Sequence, residues 1–78
     1  MPEDIPQIPQ ICTITSPGGL NVRAEPNTNS AIIARYPSGT ELNFVGVVNG
    51  ESIDGNPLWG HSRQGHYFWL GGTSRPNG

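Results

Sequence analysis

Leu20-Asn21-Val22-Arg23-Ala24-Glu25-Pro26-Asn27-Thr28-Asn29-Ser30 joins a two-residue alternation to an abrupt polar turn. Leu20, Val22 and Ala24 fall on one side of an extended chain and Asn21, Arg23 and Glu25 on the other, the pattern of a half-buried strand. Pro26 removes a backbone donor and fixes φ. The Asn, Thr and Ser side chains behind it hydrogen-bond nearby backbone, so the strand ends in a polar loop. A second apolar run, Ala31 to Tyr36, follows directly and stops at Pro37-Ser38-Gly39, another turn signal.

The same punctuation continues on both sides. Upstream, Ile11 to Ser16 alternates Ile and Thr and breaks at Pro17-Gly18-Gly19. Downstream, Thr40 to Val48, Leu58 to Arg63 and Tyr67 to Leu70 complete the strands. Asn49-Gly50 and Asp54-Gly55-Asn56-Pro57 are read as turns, and Gly65 as a tight reversal. Eleven glycines and eight prolines in 78 residues fit short strands joined by tight turns, with helix scarce. The expected fold is all-β, a small barrel of five to six short antiparallel strands with little or no helix. Closing such a sheet removes exposed strand edges.

At this length a single small core is expected. Alternation assigns Val22, Ile33, Leu42, Phe44, Val48, Phe68 and Leu70 to it, with Leu20 and Ile14 closing the ends. Val45 and Val47 fall on the opposite face of their strand. Either the strand bends across the barrel, as a central strand of a small barrel commonly does, or these two valines meet a partner.

Residues 1–10, with Pro2, Pro6, Pro9, Glu3 and Asp4, read as a Pro-rich extended linker, and residues 74–78 as a tail or a second linker. The ten N-terminal residues lack the basic and apolar regions of a signal peptide. No stretch approaches the roughly 20 apolar residues that a membrane helix requires, so membrane insertion is not expected. The net charge is −2 and there is no lysine. The chain therefore lacks the basic surface that neutralises phosphates, and nucleic acid is not an expected partner.

Leu20-Asn21-Val22-Arg23-Ala24 with Pro26 two residues on, Ala31-Ile32-Ile33 before Ser38-Gly39-Thr40, and a closing Tyr67-Phe68-Trp69-Leu70 together resemble the bacterial SH3 domains over residues 11–73. The resemblance implies an SH3-like β-barrel acting as a non-catalytic binding module within a larger protein. Modules of this family commonly accompany cell-wall hydrolases, phage lysins and other envelope proteins and hold them on peptidoglycan, often through its peptide part. An extracellular or envelope location is what this implies. Two departures stand out. Gly60 and Ser62 occupy positions of the penultimate strand where relatives tend to carry large or apolar residues, and the stretch from Gly50 to Pro57 looks like an insertion that lengthens a loop.

The aromatic residues carry the functional expectation. Trp59 alternates with His61 and Arg63, and Tyr67 shares a face with Trp69, opposite Phe68 and Leu70. If the two strands pair antiparallel, Trp59, Tyr67 and Trp69 lie on one surface, a groove offering large contact area at low entropic cost. A peptide could pack there while Arg23 and Asn21 read its polar groups, Arg23 as a two-pronged partner for a carboxylate. The alternatives are that tryptophan caps the barrel ends, and that Arg23 forms a weak exposed pair with Glu25 or Glu41. The weakness expected of so small a groove would be offset by avidity.

Other constellations point to less. Cys12, alone, is read as a small hydrophobe and not a nucleophile. His61 and His66 lack a third ligand for zinc, and no cofactor is implied. Glu51 and Asp54 are read as solvated carboxylates in a mobile loop. No convergent titratable set suggests an enzyme. The competing class is an assembly module that uses Val45, Val47 and the residue 50–57 loop to contact a protein partner or a second copy.

Overall fold

A computed structural model describes residues 9–78. Most of the proposed linker, residues 1–8, therefore lies outside the described residues. Seven strands follow in order: β1 (Gln10–Thr13), β2 (Leu20–Arg23), β3 (Ile32–Tyr36), β4 (Glu41–Phe44), β5 (Gly46–Ile53), β6 (Asn56–His61) and β7 (Tyr67–Trp69). A single 3₁₀ turn, η1 (Leu70–Gly72), comes after them. All ladders are antiparallel, in a two-stranded sheet β1-β4 and a five-stranded sheet β3-β2-β7-β6-β5. The all-β SH3-like reading stands.

The decisive stretch behaves as its alternation dictates. Val22 is buried, and Ala24 donates its N–H to the Ala31 carbonyl at 3.0 Å, closing the polar loop over Glu25–Ser30. Ser30 Oγ bonds the Glu25 and Asn27 carbonyls, and Asn27 Oδ1 accepts from the Asn29 N–H, the local competition that makes these residues loop formers.

The core is the cluster Cys12, Val22, Phe44, Phe68 and Leu70, with Leu20, Ala34, Leu42 and Leu58 packed around it. Phe44 meets Phe68 edge-to-face at 6.0 Å and ties the small sheet to the large one. Ile14 is also buried and bridges Thr73. The Cys12 thiol, pushed up by burial, behaves as the hydrophobe expected of it.

Three expectations are corrected. Ile33, assigned to the core, is 46% exposed. Val22 pairs with Ala34 but Arg23 with Ile32, so Ile33 is the extra residue of a bulge and the inward phase passes to Ala34 and Tyr36. The run Thr40–Val48 is two strands, divided at Val45, whose N–H bonds the His61 carbonyl as the chain crosses from one sheet to the other. That crossing is the bend anticipated for Val45 and Val47.

The third correction concerns Asn49-Gly50 and the stretch to Pro57. There is no turn at Asn49-Gly50: β5 runs through to Ile53, its extra residues taken up by a register irregularity between Asn49 and Ile53, and reverses at Asp54-Gly55 into β6. Both turn residues have positive φ, 51° and 81°, as a two-residue hairpin of this type requires. The doubt over Gly60 resolves in the same sheet. Gly60 pairs with Phe68, whose ring lies over it; a Cβ there would sit 2.6 Å from Phe68 Cε1. The missing side chain is replaced by the aromatic ring opposite.

Candidate functional site

Alternation along β2, β3 and β7 sorts side chains between two concave surfaces on opposite faces of the large sheet. The outer face carries the residues expected to bind. Trp59 pairs with Trp69, His61 with Tyr67, and Tyr67 with Arg23. Asn21, Arg23, Arg35, Trp59 and Trp69 border a cleft of about 150 Å³. Tyr67 lies outside that cleft, stacked on His61 at 5.0 Å.

Trp59 is buried and bonded within the chain. It is 1% exposed and donates its Nε1–H to the Glu51 carbonyl at 2.9 Å. The ring stands outside the main core cluster, beneath Pro26 and Gly50; a Cβ on Gly50 would come within 2.8 Å of Trp59 Cδ1. Glu51 completes the attachment. Its N–H bonds the Pro26 carbonyl at 2.9 Å, and its Oε1 accepts from the Thr28 N–H at 2.8 Å and Thr28 Oγ1 at 2.7 Å. The Thr28 bonds hold the Glu51 carboxyl below its ordinary range, with Arg23 nearby adding to the effect. Glu51 is therefore an exposed strand residue, not a loop residue, and its carboxylate docks the 24–31 loop.

The remaining outer residues are also engaged within the chain. Arg23 Nη1 donates to the Thr28 and Ser30 carbonyls at 3.0 and 2.9 Å, so it pins the loop and forms no pair with Glu25 or Glu41. Arg35 Nη2 donates to the Gly18 carbonyl at 2.8 Å, with Nη1 3.5 Å from Asn21 Oδ1. Trp69, half-buried, donates its Nε1–H to the Asn56 carbonyl at 2.9 Å and packs against Gly71.

The inner face opens onto a larger groove, about 480 Å³, that alternation alone did not reveal. It lies where β3, the edge of the large sheet, diverges from β4, which among the described residues pairs with β1 alone. The two strands are joined at one end by the turn around Gly39, φ 93°. Val22, Ala34, Leu42 and Phe68 form its apolar floor; Ile33, Tyr36, Glu41, Asn43, Gln64 and His66 line its sides. His66 is held there by the β6–β7 turn, its N–H donating to Ser62 Oγ at 3.2 Å and its carbonyl accepting the Ser62 N–H at 2.9 Å. Two strand edges that no other described strand pairs, an apolar floor and a polar rim form a surface suited to an extended ligand. The signal that could have found it is Tyr36, an aromatic residue at the end of an edge strand beside a turn.

No group of three or more His, Cys, Asp or Glu side chains able to hold a metal occurs among the described residues. The bacterial SH3 domain family matches residues 18–69, two-thirds of the chain. The chain belongs to the bacterial SH3 domain family. No curated protein matches it. Bacterial SH3 domains are binding modules in general, and the residue 18–69 match takes in β2 to β7, and with them both concave surfaces of this one.

Proposed function

We propose that this SH3 module is a non-catalytic anchor that holds a larger envelope protein on bacterial peptidoglycan by binding a wall peptide in the groove between β3 and β4. The observation that carries this reading is the divergence of β3 from β4 over an apolar floor. Its volume lies within the range of small-ligand sites, whereas the outer cleft is about a third as large and lined by groups already bonded within the chain. Backbone edges on both walls favour an extended peptide over a compact sugar. A single groove of this size supports modest affinity, and repeated ligands on a polymeric wall raise retention through effective concentration.

The test is retention on purified, protein-free sacculi. Tyr36→Ala and His66→Ala, both checked for folding by circular dichroism, should lose most of the retained fraction. Arg35→Ala, on the outer cleft, should keep it. Retention lost in Arg35→Ala and kept in the groove variants would move the site to the outer face. No retention of the native chain on any wall chemotype would overturn wall anchoring and favour a protein partner.

A further inference from the structure

We infer that the groove selects a peptide bearing an unsubstituted primary amine, seated against the Glu41 carboxylate; this deepens the reading above and rests on it. Charge is sorted by the same alternation that builds the two surfaces. Along the β2–β3 hairpin Val22, Ala34 and Tyr36 line the groove, while Arg23 and Arg35 line the cleft on the other face. Arg75 bonds Gln10, and Arg63 borders a shallow depression beside Pro9. Among the described residues no arginine lines the groove, and Glu41 is the one formally charged residue that does. A carboxylate at the rim of an apolar floor, with no guanidinium among the described lining residues, favours a cationic group at that point of the ligand.

The shape of the site fits an amine on an alkyl stem. The stem would lie along Leu42 and Phe68 while the ammonium reaches Glu41, the division of apolar body and charged tip that lysine-like chains adopt. Tyr36 lines the same groove, and its ring would supply a cation–π partner for the same ammonium. In peptidoglycan this chemistry belongs to the diamino acid of the stem peptide, whose side-chain amine is free until a cross-link turns it into an amide. Amide formation removes the charge, so the groove would discriminate un-cross-linked from cross-linked wall.

The experiment titrates the whole chain with the synthetic stem tripeptide N-acetyl-L-Ala-γ-D-Glu-L-Lys, whose one free amine is the lysine side chain's, and with its Nε-acetyl form, following amide shifts by NMR. The native chain should bind the free amine about two- to fivefold more tightly, the range for one solvent-exposed ion pair. Glu41→Gln, which leaves the backbone ladder to β1 in place, should bring the two affinities together without weakening the Nε-acetyl form. Equal affinities for both peptides in the native chain would overturn the amine selection and leave peptide binding standing. Binding of neither peptide would overturn both. A preference that survives Glu41→Gln would also overturn it, by showing that another group reads the charge.

Discussion

Glu51 ties the polar loop to the sheet through four contacts: its carbonyl holds Trp59, its N–H holds Pro26, and one carboxylate oxygen holds both donors of Thr28. Because the Thr28 bonds favour the anion, the carboxyl titrates lower in the folded chain than in the unfolded one. The loop attachment is therefore complete above the ordinary carboxylate pKa of about 4.3 and weakens as pH falls through the lower folded value. The Thr28 amide resonance should follow that low transition in a pH titration, and Glu51→Gln should abolish the pH dependence. A transition at the ordinary carboxylate position would show that the bonds are not made in solution. None of this was legible in the sequence. Glu51 is followed closely by Asp54-Gly55 and preceded by Asn49-Gly50, so local propensity reads a loop, and only the long-range contact with Pro26 and Thr28 makes it strand. The burial of Trp59 was hidden for the same reason. Its alternation gave the correct face, but the loop that covers that face lies about 30 residues away in sequence.

The elements divide in the same way between what alternation reveals and what it cannot. The β2 strand, its loop, the Asp54-Gly55 turn and the Gly65 turn were all readable, because each rests on a local φ requirement or a two-residue period. The bulge at Ile33 and the division at Val45 were not, since both are imposed by pairing with other strands. Gly60 shows the point most sharply. In sequence it is a weak residue in a strand; in the sheet it is the space that Phe68 fills. Gly60→Ala should therefore lower stability by about 1–3 kcal/mol through overpacking, despite the better strand propensity of alanine. Thermal denaturation would register this as a drop of several degrees. Gly18→Ala, where nothing stands within 4 Å of the new methyl group, is the matched control and should shift little. Equal shifts for the two variants would contradict the packing described for Phe68.

Over the whole molecule, one sheet presents two faces with different work. The outer face spends its tryptophans and two of its arginines on holding loops and hairpins together. The inner face builds the core, and where β3 parts from β4 the core is left open to solvent as the groove. Family, fold and the general class of binding module were legible in the order of short motifs along the chain. The position of the groove was not, because it depends on which strands fail to pair. The central claim is that ligand enters this opening and not the tryptophan face. It is tested most directly by titrating the isotope-labelled chain with soluble disaccharide-peptide fragments released from sacculi and mapping the amide shifts. Shifts concentrated at Ala34, Tyr36, Glu41 and His66 are the predicted result; shifts concentrated at Asn21, Arg35 and Trp69, or no shifts at all, would contradict it.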